Sequence, residues 1–156
     1  MLEEKYKDTL TALVNEHLNL GRFFCLTVST ASMLPMIKPE DEIVVRKSSR
    51  QTLKCGDIVV FEKFRELYTH RLLCKRMSGS EMTLVTKGDN SFSADDPISE
   101  KDLLGKVTKI RKGNKSINLE GKFWKIANSL AGTLSYIEWT VFSLLRGLKR
   151  LIPKVQ

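Results

Sequence analysis

The hydrophobic period of this chain changes twice, and those changes constrain its fold more than any single motif. Residues 3–20 place Tyr6, Leu10, Leu13, Val14, Leu18 and Leu20 at mostly helical spacing, with Gly21 as a stop. From Phe23 the pattern becomes short runs rich in Val, Ile, Leu, Phe and Thr: Phe23–Ser29, Glu42–Arg46, Asp57–Lys63, Leu67–Lys75, Met82–Thr86 and Leu103–Ile110. Turn-like segments at Pro39-Glu-Asp, Cys55-Gly-Asp, Ser78-Gly-Ser and Gly88-Asp-Asn punctuate them. After Gly121 the helical period returns for about eight turns. Phe123, Ile126, Leu130, Leu134, Ile137, Val141, Leu144, Leu148 and Ile152 then share one face, and Pro153 ends the pattern. The expected fold is mainly β: a compact β domain at 23–120 between a short amphipathic helix at 1–22 and a long basic amphipathic helix at 121–153. The 156 residues hold one such core and little more.

The formal charge of +8 belongs to one end of the chain. Residues 1–105 carry 15 Lys/Arg against 16 Asp/Glu, whereas residues 106–156 carry 11 against 2. The β region is therefore near neutral, which argues against a general polyanion-binding surface. In the last third the charge is interleaved with a wide apolar stripe that a phosphate-binding face does not need, so nucleic acid is not an expected partner. Cys25, Cys55 and Cys74 are odd in number and widely spaced, with no CxxC. They read as small buried core residues, suited to a reducing compartment, and as neither a disulfide framework nor a zinc site. The acidic start Met-Leu-Glu-Glu-Lys-Tyr-Lys-Asp lacks the apolar region of a secretory signal.

Three features of the β region carry possible chemistry. In Thr30-Ala31-Ser32-Met33-Leu34-Pro35 a strand-like run stops at a serine, the geometry a nucleophile requires, although an isolated Ser-x-x-Pro is usually a turn. In Tyr68-Thr69-His70-Arg71-Leu72 a histidine lies inside an apolar strand, where an imidazole could take a serine proton; alone it reads as a hydrogen-bonded strand histidine. His17, on the first helix, has no partner pattern and reads as structural. The third segment, Lys87-Gly88-Asp89-Asn90 followed by Asp95-Asp96, combines a tight turn with carboxylates that could orient the imidazole; by itself it is equally an acidic surface loop.

Taken in order, Ser32-Met33-Leu34-Pro35, Gly56-Asp57-Ile58-Val59-Val60-Phe61, Thr69-His70-Arg71-Leu72 and Lys87-Gly88-Asp89-Asn90 with Asp95-Asp96 resemble four sequence boxes. They are those of the type I signal peptidase superfamily of serine endopeptidases, over roughly residues 23–110. The closer similarity is to the endoplasmic-reticulum and archaeal branch, which pairs serine with histidine. The resemblance implies Ser32 as nucleophile, His70 as general base and Asp95 or Asp96 as the orienting acid, with Asp89 shaping the turn. It also implies that the Thr30 hydroxyl joins the Ser32 N–H in holding the oxyanion. His70 occupies the position where Ser/Lys members carry their lysine, and Lys75 and Lys87 lie outside it. No metal or cofactor enters this chemistry. The implied substrate is an extended leader or precursor peptide with small residues near the cut.

The family's N-terminal transmembrane tether has no counterpart in the charged first helix, which is too short to span. Ile126–Leu145 holds one charge, Glu138, yet Asn128, Ser129, Ser135 and Glu138 give it a polar side, with Lys122, Lys125, Arg146, Lys149 and Arg150 at its ends. Such a helix, with Trp124 and Trp139 near the face boundaries, suits a membrane surface or a partner protein better than a span. The expectation is a peripheral membrane or cytoplasmic serine peptidase held through residues 121–153. The competing class is a non-catalytic peptide-binding or regulatory member of the superfamily. A self-cleaving repressor is disfavoured, because residues 1–22 are too short for a helix-turn-helix domain.

Overall fold

The computed structural model describes the backbone of residues 2–49, 51–78 and 81–151, and the side chains of residues 9, 12–49, 51–77 and 81–146. Helix α1 spans Leu2–Asn19 and is followed by β1 (Phe24–Thr27), β2 (Glu42–Arg46), β3 (Ile58–Lys63), β4 (Glu66–Ser78) and β5 (Glu81–Lys87). Then come β6 (Ile98–Ser99), a short 3₁₀ turn, β7 (Leu103–Lys112), β8 (Lys115–Asn118) and helix α2 (Lys122–Leu151). The strands form one antiparallel sheet in the order β1-β2-β7-β3-β4-β5-β6. Strand β8 pairs the last residues of β7, whose first residues pair β3.

The apolar run Ile58-Val-Val-Phe explains why β3 is central. Its alternate side chains enter two different cores, as the twofold period of a strand requires. Ile58 and Val60 pack with Val14 and Leu18 of α1, Met33, Ile37, Val107 and Ile110. Val59 and Phe61 pack with Leu53, Leu72, Leu84, Ile98 and Leu103. The mainly β architecture with two terminal helices follows the sequence pattern. Strands β6 and β8 were not foreseen, since two to four residues beside Pro97 or among lysines carry no readable alternation.

Two expectations change. The cysteines are not core residues: Cys25 and Cys55 are exposed and Cys74 half-buried, all as free thiols. Cys25 takes an outward position of an alternating strand and Cys55 sits in the turn before Gly56. On α1, Val14 and Leu18 are buried whereas Leu13 and Leu20 are exposed; the Tyr6 and Leu10 side chains lie outside the described residues.

On α2 the polar side faces the sheet domain and the apolar stripe faces outward. Asn128 is buried, while Ile126, Leu130 and Leu134 are each more than 60% exposed. The approach depends on two glycines. Gly56 has a positive φ of 92°, and a Cβ there would lie 2.2 Å from the Asn128 carbonyl oxygen. A Cβ on Gly132 would lie 2.6 Å from the Gly56 Cα, so helix and turn touch backbone to backbone. Among the described residues no helix is long and apolar enough to cross a membrane. The side chains of Leu148, Lys149 and Arg150, all of Ile152 and Pro153, and the Ser78-Gly-Ser turn beyond Ser78 lie outside the described residues.

Candidate active site

Register in the β3–β4 hairpin sets the position of the histidine. Val59 pairs His70 and Phe61 pairs Tyr68, so His70, Tyr68 and Phe61 share one face, with the Phe61 ring stacked on Tyr68 and edge-on to His70. On the next strand Thr86 pairs Leu72, which brings the Thr86 hydroxyl to the same neighbourhood. Asp95 then returns along β5, its N–H donating to the Thr86 carbonyl at 2.8 Å.

These placements converge on one carboxylate oxygen. Asp95 Oδ2 lies 2.7 Å from His70 Nδ1 and accepts the Thr86 hydroxyl at 2.7 Å. With Nδ1–H donated to Asp95, the tautomer is fixed and the Nε2 lone pair is left for another proton. His70 is 7% exposed, so little water competes for that contact. Asp96, the other candidate acid, turns outward and pairs Lys63 at 3.0 Å.

The nucleophile candidate arrives on the loop between β1 and β2, closed by Val28 N–H to Asp41 O and Glu40 N–H to Val28 O, each at 2.9 Å. The Asp41 carboxylate accepts from Lys38 N–H and Lys112 Nζ. Burial opposes its charge, but the Lys112 ammonium and the Lys38 N–H outweigh that effect and hold its pKa below the usual carboxylate value. Gly88 then brings the acid loop against Ser32: a Cβ there would lie 2.7 Å from the Ser32 carbonyl oxygen and 3.2 Å from His70 Nε2. Asn90 N–H fastens the approach by donating to the Ser32 carbonyl at 2.8 Å, and its amide donates to the Ala31 carbonyl at 3.3 Å.

Ser32, His70, Thr30 and Ser91 line one cleft of about 600 Å³, whose apolar walls include Leu26, Val28 and Tyr68. Within it Ser32 Oγ and Thr30 Oγ1 share a hydrogen bond of 3.2 Å. Among the described residues Ser32 makes no hydrogen bond to His70. No group of three or more His, Cys, Asp or Glu among the described residues is placed to hold a metal ion.

Behind the cleft, successive strand alternation sends Arg71 to the opposite face from His70. Asp89 takes its Nε and Nη2, both at 2.7 Å, in a bidentate pair. Nη1 donates to Gly56 O at 2.8 Å and Asn128 Oδ1 at 3.1 Å. Asp89 is thus more than a turn former. Lys87, also fully buried, pairs Glu138 of α2 at 3.1 Å, which removes it from contention as a base at Ser32. Thr86, Asn90, Asn128 and Glu138 were not identified from sequence. Asn128 and Glu138 had a readable cue in the polar side of the last helix and Asn90 in the Gly-Asp-Asn turn, whereas Thr86 had none.

No curated protein sequence matches this chain significantly. The model of the family described as Peptidase S24-like matches residues 2–108, well over half the chain, including Asp95 and every residue that lines the cleft of Ser32 and His70. The chain therefore belongs to the Peptidase S24-like family, within the serine peptidase superfamily that also contains the signal peptidases.

Proposed function

We propose that this protein is a serine endopeptidase of signal-peptidase type, with Ser32 as nucleophile, His70 as general base and Asp95 as the acid that orients it. The observation that carries the reading is the 2.7 Å contact between His70 Nδ1 and Asp95, with His70 lining the same cleft as Ser32. With Nδ1–H held by Asp95, Nε2 accepts the Ser32 proton as Oγ attacks the scissile carbonyl. For that step Ser32 Oγ turns from Thr30 toward His70, a tightening common when substrate fills an apo site. The Ser32 N–H and the Thr30 hydroxyl hold the oxyanion, a donor of that kind contributing about 3 kcal/mol. His70 returns the proton to the leaving amine, and water then releases the acyl group from Ser32.

The substrate is an extended leader or precursor peptide. Strand β1 is the outer strand of the sheet on the cleft side, and an extended segment can add to such an edge through its main chain. The apolar walls at Leu26, Val28 and Tyr68 receive alternate side chains, and small residues near the cut fit the signal-peptidase pattern of boxes. A second reading, a peptide-binding member without activity, is favoured by the Ser32–Thr30 hydrogen bond in place of a Ser32–His70 one. A serine-directed fluorophosphonate separates the two. Labelling of the full chain should far exceed that of Ser32→Ala and His70→Ala. Equal labelling of all three, with peptide binding retained, would establish the binder.

A further inference from the structure

We infer that α2 seats this protein on an anionic phospholipid bilayer, with its outward stripe in the apolar boundary and lipid phosphates in a basic cavity at its N-terminal end. The stripe is continuous. Ile126, Leu130, Leu134, Ile137, Val141 and Leu144 are each at least half exposed and span about 27 Å at the helical rise. A surface of that extent is not left to water in an ordinary soluble monomer. The opposite face of α2 is already occupied by Arg71, Lys87 and the acid loop, where Phe142 meets Phe92 and Arg146 donates to Ser93.

What covers the stripe is indicated by the cavity beside it. Its volume is about 510 Å³, and Ile126 belongs to both stripe and cavity. Arg46, Lys47, Lys54, Lys106 and Lys125 line it against only Asp57 and Glu120. Lys106 is paired with Asp57 at 2.7 Å and Arg46 lies over the exposed Phe23 ring. Lys47, Lys54 and Lys125 form no ion pair among the described residues. A cationic cavity opening beside an apolar stripe matches a surface that presents phosphate and hydrocarbon together, and the charge excess of residues 106–156 has the same sign. A protein partner of purely apolar surface would leave these three lysines without a counter-charge.

The full chain is tested by co-sedimentation with vesicles of phosphatidylcholine alone and of phosphatidylcholine with phosphatidylserine. It should pellet with the anionic vesicles only, and added salt should release it. Leu130→Ser with Leu134→Ser should weaken binding on the order of a hundredfold. Lys47→Ala, Lys54→Ala and Lys125→Ala together should weaken it to a similar degree, at about fivefold per lysine. These side chains are exposed or at a cavity rim, and unchanged thermal melting shows that the variants fold. Equal pelleting with both vesicle types would overturn the proposal. So would no pelleting, whether accompanied by a dimer that the leucine variant dissociates or by stabilisation with inorganic phosphate that the lysine variant abolishes.

Discussion

His70 and Arg71 are neighbours on one strand, and each meets an aspartate from the same loop, yet the two pairs do different work. The His70–Asp95 pair opens onto a cleft, with a group whose charge can change and whose second nitrogen is left for chemistry. The Arg71–Asp89 pair is sealed: the guanidinium is 1% exposed, always charged, and met by Asp89, Gly56, Asn128 and the Met36 sulfur. The difference teaches that the same cation–carboxylate pairing becomes machinery or architecture according to which donors remain. Histidine keeps one nitrogen uncommitted, whereas all five arginine N–H directions are accounted for by protein acceptors.

The sharpest way to break this comparison is to neutralise the two aspartates separately. Asp95→Asn should lower the acylation rate by about 10⁴-fold, because an amide stabilises the wrong imidazole tautomer and cannot balance an imidazolium. Melting should shift little, since the Asp95 side chain is partly exposed and Thr86 can still reach the amide. Asp96→Asn serves as the control. Its carboxylate is 89% exposed and bound to Lys63, so acylation should be unchanged. A rate unaffected by Asp95→Asn would remove the acid from the proposed site.

Asp89→Asn should show the reverse profile. It leaves a fully buried guanidinium without a counter-charge, a change that costs about 3–5 kcal/mol of stability. In a chain of this size that lowers the melting temperature by roughly 10 °C. In samples that remain folded, acylation should fall far less than with Asp95→Asn. If instead the rate collapses while melting is unchanged, the division between a chemical face and a structural face of β4 is wrong.

The sequence was informative where local pattern and global fold agree. The turn glycines and the four-residue apolar run of β3 marked the sheet, and the resemblance of the boxes around Ser32, His70 and the Asp95-Asp96 pair to those of the signal peptidase superfamily brought the site candidates within view. It could not choose between Asp95 and Asp96, because adjacent carboxylates separate only once the backbone turns one toward Thr86 and His70 and the other toward Lys63. Periodicity also identified the two faces of α2, but not which surface meets its polar side. Apolar faces normally pack inward, but the surface waiting for this helix presents buried charge, Arg71 and Lys87, so Asn128 and Glu138 are the side chains that complement it. That information is long-range, separated by 57 and 51 residues, and no local window contains it.

The smallest expected effect tests whether α2 is part of the Arg71 cluster or merely rests on it. Asn128→Ala removes one acceptor from Nη1, which keeps its shorter bond to Gly56, so the loss should be about 1–2 kcal/mol in thermal or urea unfolding. The informative quantity is its coupling with Asp89→Asn. Both residues bind the same guanidinium, so a double-mutant cycle should give an interaction energy above about 0.5 kcal/mol. Once Asp89 no longer balances the charge, the Asn128 oxygen becomes a larger fraction of what remains, and its removal should cost more than in the native protein. Strictly additive losses would mean that helix and arginine are independent. The packing of α2 would then rest on the Gly56–Gly132 backbone contact, the Lys87–Glu138 pair and the contacts of Phe142 and Arg146 with Phe92 and Ser93.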